Sequence, residues 1–172
     1  LPGGQLSGCF VLPIEDSMES IFGTLKDMAL IQKTGGGTGF SFSQLRPRDD
    51  FIASTRGQSS GPVSFMQLYD YACEINRRGG IRSGANMGVI RFDHPDILEF
   101  IRAKNNNTLH TFNISVAVTD FFMDCVRRSA DYPLINPRTK QEIGRLNARE
   151  VFDAIVKSAW GTGDPGLVFL VT

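Results

Sequence analysis

The sequence lacks the features that mark several large classes of protein. It contains no run of about 18 apolar residues, the length that a membrane-spanning helix needs. Its 18 basic and 18 acidic residues give a formal net charge of +0, so no overall charge attracts the chain to nucleic acid or to a membrane surface. We therefore predict neither kind of partner, and any anion-binding site has to be local.

Cysteine and histidine are also scarce. The three cysteines, Cys9, Cys73 and Cys125, form no CxxC pair and no even set, which favours a reducing compartment, here predicted to be the cytoplasm. The two histidines, His94 and His110, have no partners at metal-ligand spacing, so no metal site is predicted. A Walker lysine and a Ser–His–Asp arrangement are likewise missing, which removes two common routes to catalysis.

Short apolar runs alternate with helical patterns along the chain. The alternation predicts an α/β fold with a parallel sheet and right-handed crossovers. The predicted strands are 9–13, 39–45, 85–92, 111–118 and 167–171. The predicted helices are 16–31, Phe65 to just before Gly79, a short one opened by Asp93 and Pro95, Thr119 to about Arg128, and one capped by Asn147. Residues 47–62 are predicted to be a long loop, and 132–144 a polar excursion or hairpin.

Two glycine-rich segments invite a ligand-binding interpretation. In TGGGTG, residues 34–39, the glycines follow a helix and precede a strand, which reverses the order of the dinucleotide fingerprint and favours a simple turn. The segment from Arg77 to Gly84 combines glycines, which allow close approach of the backbone, with arginines, which bind phosphate or stack on bases. From these residues alone, a solvated surface loop is as good an interpretation.

Isolated polar and sulfur-containing residues give weaker signals. A lone cysteine on an apolar strand, such as Cys9, is more often a small hydrophobic residue than a catalytic one. Cys73 and Cys125 lie in helical patterns and are predicted to be structural. His94 is most simply a helix-start residue, and Asp164, in GDPG, is most simply a turn residue.

Taken together, the segments resemble one family, the ribonucleotide reductases, and within it the adenosylcobalamin-dependent class. The matching segments occur in the family's order and cover nearly the whole chain. They are LSGCFVLPIEDSMESIF (6–22), GGGTGFSFSQLRP (35–47), SSGPVSFM (59–66), RRGGIRSGANMGVIRFDHPDILEFIRAKNN (77–106), FNISVAVTDFFM (112–123) and AWGTGDPGLVFL (159–170). FNISVAVTD and DHPDILEFI favour the cobalamin class over the oxygen-dependent class.

The resemblance implies a fold and an activity. The family fold is a ten-stranded α/β barrel of two five-stranded parallel halves, so residues 1–172 are expected to be a single partial domain, the N-terminal half, cut from a longer chain. The family converts ribonucleotides to deoxyribonucleotides by radical chemistry with adenosylcobalamin and a thioredoxin-type or other thiol reductant. Its NPCGE segment, which carries the radical cysteine, is absent here, so this piece alone is expected to be inactive. As a half-barrel it would expose one sheet face at Phe10, Phe40, Phe42, Ile90 or their strand neighbours.

The resemblance also implies roles for single residues. Cys9 matches one of two thiols that are oxidised to a disulfide when ribose is reduced, and Gly8, Gly36 and Gly37 match positions beside the bound ribonucleotide. Asp16, Lys33 and Arg46 match the specificity site for a deoxynucleoside triphosphate effector, which in the family lies near a homodimer contact. The flexible loop between effector and substrate base is matched by Arg77, Arg78, Gly79, Gly80 and Arg82.

Two other functions stay open at this point. The chain could be a non-catalytic nucleotide-binding regulatory module derived from the same barrel. It could also be a generic doubly wound α/β binding protein, in which case the motif matches are coincidence. A downstream NPCGE-type segment in the gene would indicate the enzyme, and a stop at Thr172 would indicate the module.

Overall fold

The computed structural model describes residues 7–52, 56–79, 85–106 and 108–170, and it contains two kinds of element in alternation. The strands are β1 Cys9–Leu12, β2 Gly37–Ser41, β3 Phe51–Ile52, β4 Gly57–Gln58, β5 Asn86–Arg91, β6 Phe112–Val118, β7 Asp131–Ile135, β8 Glu142–Asn147 and β9 Gly166–Phe169. The helices are α1 Met18–Lys33, α2 Pro62–Gly79, α3 Ile97–Arg102, α4 Asp120–Arg128 and α5 Ala148–Thr162, with a 3₁₀ turn at Ala103–Asn106.

Five of these strands form one parallel sheet in the order β1-β2-β5-β6-β9. The predicted α/β class and the five-stranded parallel sheet are thereby confirmed. Within the described residues the sheet is open, so the half-barrel itself stays a prediction. Two antiparallel pairs stand outside the sheet: β3–β4 lies in the predicted loop, and β7–β8 is the predicted hairpin.

One face of the sheet is covered by the helices and carries the core. Phe40, Phe42, Tyr69 and Phe112 form an aromatic cluster with ring centroids 5.3–6.3 Å apart. Side chains alternate between the two faces of a strand, so the inward positions of β2, β5 and β6 are almost fully buried. Burial of this face by α1, α2 and α3 is the main source of stability of the fold.

The other face is open, and it is lined by the strand neighbours of the core residues. Val11 is 87% exposed and Met87 is 40% exposed, and register pairing places both in one row across the sheet. Phe40, Phe42 and Ile90 are instead buried under the helices. The expected open face therefore exists, but it is formed by the neighbours, because the alternation of the strands points these three side chains to the helices.

Several element boundaries differ from prediction, and capping or strand pairing accounts for the clearest cases. Helix α1 begins two residues late because Ser17 caps it, accepting a 3.1 Å hydrogen bond from Ser20 N. Strand β2 begins at Gly37 and ends at Ser41, since both neighbouring strands pair with it in this register. Helix α3 begins only at Ile97, after a turn. The predicted cap is confirmed at Asn147, whose side chain accepts from the first backbone N–H groups of α5.

No helix in the ranges that the structure describes is both long enough and apolar enough to cross a membrane.

Candidate functional site

The start of β1 and the start of β2 bring the predicted thiol and glycines together. Cys9 pairs with Gly37 in the sheet, and Gly37 N donates a 2.8 Å hydrogen bond to Gly8 O. Cys9 is exposed and lies on the open face. A thiol in this place is held on a rigid strand and is accessible to a ligand lying over β2.

The two glycines next to each other at the start of β2 have different surroundings. A Cβ on Gly36 would lie 2.7 Å from Ile31 Cγ2 and 3.1 Å from Phe10 Cε2, so a side chain would force the α1–β2 turn to move. A Cβ on Gly37 would lie 3.9 Å from Cys9 Sγ, on the open side. The absence of a side chain at Gly37 therefore keeps the surface next to the thiol flat.

Only part of the predicted specificity loop lies within the described residues. Three of its residues, Arg77, Arg78 and Gly79, form the end of α2, whereas Gly80 and Arg82 lie outside the described residues. The chain is described again from Ala85, whose carbonyl accepts a 3.0 Å hydrogen bond from Thr38 N. The residue that follows the loop is thus bonded to the strand that carries Gly37.

A buried polar network, which the sequence analysis missed, lies beneath the same strand starts on the helix side. Asn86 Oδ1 accepts hydrogen bonds from Gln32 Nε2 at 2.8 Å and from Thr38 Oγ1 at 2.7 Å. Asn86 Nδ2 donates to Thr111 Oγ1 at 3.1 Å, and Thr111 Oγ1 donates to Asp70 Oδ1 at 2.6 Å. Polar residues at inward strand positions were the available signal. The network joins α1 and α2 to β2, to β5 and to the residue that precedes β6.

The remaining cysteines and His94 have structural environments. Cys73 and Cys125 are buried on the helix side, and burial raises the pKa of the Cys73 thiol. The ring of His94 is 2% exposed: Nε2 lies 2.9 Å from Leu45 O, and Nδ1 accepts from Asp96 N at 3.0 Å. Burial lowers the pKa of His94. The burial of both cysteines agrees with the structural role predicted for them, whereas His94, predicted to start a helix, lies in the turn before α3 with its ring in the core.

A cleft of about 630 Å³ lies at the opposite ends of β1 and β2, between the start of α1 and the loop that leads to α2. Asp16 accepts from Arg46 Nε at 2.8 and 3.1 Å and from Arg46 N at 3.1 Å. Asp16 and Arg46, two of the three predicted effector ligands, are thus in contact. The loop contributes the other wall of the cleft through Leu45, Ile52, Gln58, Ser59 and Ser60.

Lys33 is not brought to this cleft within one chain. It is the last residue of α1, and 16 residues separate the two ends of that helix by roughly 24 Å at about 1.5 Å per residue. Lys33 is exposed at the end of the helix that is near Gly36. Its role as an effector ligand stays a prediction.

Comparison with known proteins decides the family. A family model described as "Ribonucleotide reductase, barrel domain" matches residues 7–172. The chain belongs to the ribonucleotide reductase family. The family predicted from the motifs is therefore confirmed, and the generic doubly wound binding protein is excluded.

The names of two relatives specify the cofactor that those proteins use. The chain is 57% identical over 97% of its length to the vitamin B12-dependent ribonucleoside-diphosphate reductase of Thermoplasma acidophilum, and 54% identical over 98% of its length to that of Mycobacterium tuberculosis. A ribonucleoside-diphosphate reductase large subunit of Dictyostelium discoideum is 31% identical over 87%. The chain covers only 22%, 25% and 18% of these three relatives.

Proposed function

We propose that these residues are the N-terminal half of the catalytic barrel of an adenosylcobalamin-dependent ribonucleotide reductase. The full-length chain would convert ribonucleotides, with diphosphates favoured by the names of the relatives, to deoxyribonucleotides. The observation that carries the proposal is the exposed thiol of Cys9 beside Gly37 on an open sheet face. A cytoplasmic location belongs to the same proposal, supported by the unbridged thiols of Cys9 and Cys125.

Cys9 would be one of two reducing thiols. In the reaction the ribose 2′ hydroxyl leaves as water, and two thiols supply two electrons and become a disulfide, which an external thiol reductant then reduces. Cys73 and Cys125 are buried on the helix side of the sheet and cannot pair with Cys9 without unfolding. The second thiol and the radical cysteine would therefore come from a part of the enzyme outside residues 1–172.

The cofactor would supply the radical when it is bound. Among the described residues there is no group of three or more histidine, cysteine or acidic side chains that could hold a metal ion. Both ring nitrogens of His94 are engaged in the core. We assign no residue of this segment to the corrinoid. The proposed role of the segment is to present the Cys9 thiol and, at Gly36 and Gly37, the surface on which the ribonucleotide would lie.

The cleft at Asp16 and Arg46 would bind the deoxynucleoside triphosphate effector. Asp16 has acceptor capacity left for a ribose hydroxyl, and Arg46, which binds Asp16 through Nε, has terminal N–H groups for phosphate. The first backbone N–H groups of α1 add a site of positive potential. The loop at 77–84, which includes the end of α2 and precedes Ala85, a residue bonded to β2, would transmit the identity of the effector to the substrate site.

A homodimer would complete this effector site. Helices α1 and α2 carry exposed apolar side chains on their outer surface: Met18, Phe22, Leu30, Tyr71 and Ile75. An antiparallel two-fold contact between these helices and those of a second copy would bury this surface. It would also place Lys33 of one subunit near Asp16 of the other, which reconciles the three predicted ligands with the length of α1.

Replacement of Cys9 tests the proposed function. In the full-length enzyme, Cys9→Ser is expected to abolish multiple turnover with a dithiol reductant, because one of the two electron donors is lost. Homolysis of adenosylcobalamin is expected to survive, since a different cysteine takes up the radical. Cys125→Ser is the matched control and is expected to keep turnover. Wild-type turnover in the Cys9→Ser enzyme would contradict the assignment.

A further inference from the structure

The β7–β8 hairpin has no part in the proposed chemistry, yet its first strand is firmly anchored. Tyr132 is fully buried, and its hydroxyl donates a 3.0 Å hydrogen bond to Phe92 O. Ile135 N donates to Asp93 O at 2.8 Å. The hairpin is therefore fixed to the end of β5 and cannot move independently of the sheet.

The tip of this hairpin reaches into the loop that walls the effector cleft. Arg138 Nε and one of its terminal nitrogens donate to the two oxygens of Asp50 at 3.0 and 2.9 Å, which is the bidentate geometry of a strong ion pair. Asn136 Nδ2 donates to Asp50 at 3.3 Å, while Asn136 Oδ1 accepts from Arg138 N at 2.9 Å. Asn136 is 5% exposed and the Asp50 side chain 12%, whereas the Arg138 side chain is 42% exposed, so the ion pair is buried on the aspartate side and open to water on the arginine side.

Asp50 in turn holds the wall of the cleft. It directly precedes β3, and its carbonyl accepts a 2.9 Å hydrogen bond from Ser59 N. Ile52 pairs with Gly57, and Ile52 and Ser59 line the cleft. The β3–β4 pair has only two residues in each strand, so its position depends on contacts such as this one.

We propose that Arg138, oriented by Asn136, is a positioning residue for the effector cleft: the hairpin tip holds Asp50 so that the β3–β4 wall is formed before the nucleotide arrives. The proposal rests on the proposed function of that cleft. Without the ion pair, the effector would have to order the wall as it binds, and the free energy of that ordering would be subtracted from its affinity.

Binding of effector to the full-length enzyme tests the role of Arg138. Arg138→Ala is expected to raise the Kd for each deoxynucleoside triphosphate by roughly tenfold, about the effect of one charged hydrogen bond. Arg138→Lys is expected to recover only part of the loss, because lysine cannot make the bidentate contact. Arg145→Ala is the matched control: it lies on the same hairpin, and its ion pair with Glu142, at 3.5 Å, is exposed and internal to the hairpin. It is expected to leave the Kd unchanged.

A second readout separates positioning from simple stabilisation. Amide hydrogen exchange at residues 49–52 and 57–60 is expected to accelerate in Arg138→Ala without effector and to slow again at saturating effector. A variant that only lowered the melting temperature would not show this reversal. If wild type binds effector and Arg138→Ala matches Arg145→Ala in both Kd and exchange, the positioning role is overturned. If wild type binds no deoxynucleoside triphosphate, the effector cleft itself is wrong and the proposal falls with it.

Discussion

Adjacent residues at the strand starts have opposite environments. Gly37 and Ala85 face the open side near Cys9, while Thr38 and Asn86, one position later, enter the buried polar network under the sheet. Because successive strand residues point to opposite faces, the network fixes the backbone whose other face would contact the ribonucleotide at Gly37. A buried network of this kind specifies register, which an apolar row would specify less strictly.

The pH dependence of stability is expected to report on Asp50. The hydrogen bond from Arg138 lowers the pKa of Asp50 below its usual range. A carboxyl whose pKa is lower in the folded state contributes stability above its unfolded pKa of about 3.9, and that contribution is lost as the pH falls through the folded pKa. Urea unfolding of the full-length protein at pH 6 and pH 3 is therefore expected to show a smaller acid loss in Arg138→Ala than in wild type. Equal losses would contradict the coupling.

One ion pair, between the 3₁₀ turn and the turn before β9, stabilises the β9 edge of the sheet. Lys104, in the 3₁₀ turn, donates to Asp164 Oδ2 and to Phe112 O, both at 2.6 Å. Asp164 also accepts from Ile114 N at 3.3 Å, so the predicted turn residue links the turn before β9 to the start of β6. The two side chains are only 18% and 13% exposed. This contact adds to the pairing of β9 with β6 in holding the edge strand.

Removal of Lys104 is expected to weaken this edge. Lys104→Ala leaves the Asp164 carboxylate without its cation, and we expect a loss of about 2–3 kcal/mol in the free energy of unfolding. Arg149→Ala is the control, since its 3.6 Å pair with Asp153 is exposed and is expected to change stability by less than about 0.5 kcal/mol. Denaturant unfolding of the full-length protein checks both. A loss in Lys104→Ala no larger than in the control would show that Asp164 is satisfied by water.

At the scale of the whole molecule, two apolar surfaces lie on opposite sides. The open sheet face exposes Val11 and Met87, and the outer surface of α1 and α2 exposes Phe22 and Tyr71. Parallel sheets normally have both faces covered, and exposed apolar patches mark contacts with other protein. We propose that the second half of a barrel covers the first surface and that another subunit covers the second.

The α1–α2 surface is expected to control dimerisation. In the full-length enzyme, Phe22→Asp would place a charge in the proposed two-fold contact and is expected to shift sedimentation from dimer to monomer. Effector affinity is expected to fall with it, because Lys33 of the partner subunit is withdrawn. Val156→Asp, at an exposed position of α5 away from this surface, is the control. A Phe22→Asp enzyme that remains dimeric would place the contact elsewhere.

The isolated 172-residue chain is expected to self-associate and to lack reductase activity. Its open sheet face and the unpaired outer edges of β1 and β9 favour association, and the second thiol is not present on that face. Sedimentation over a range of concentrations and an assay for deoxynucleotide formation with adenosylcobalamin measure the two properties. A well-behaved monomer, or any deoxynucleotide product, would contradict the half-barrel proposal.

The sequence by itself determined the properties that depend on near neighbours along the chain. Short apolar runs and helical patterns predicted the five strands of the parallel sheet and five helices, and capping chemistry predicted the start of α5 at Asn147. Motifs in a fixed order identified the family. Boundaries were displaced where tertiary pairing competed with local preference, as at β2, whose glycines disfavour a strand but whose neighbours on both sides pair with it.

Only the tertiary structure decided which distant residues meet. The Arg138–Asp50 pair joins residues 88 positions apart, and the Gln32–Asn86 bond joins residues 54 apart. The structure also separated Lys33 from Asp16 by the length of a helix, and it placed Cys9 and Phe40 on opposite faces of one sheet. Local periodicity specifies neither strand order nor register between strands, and these contacts exist only once both are set.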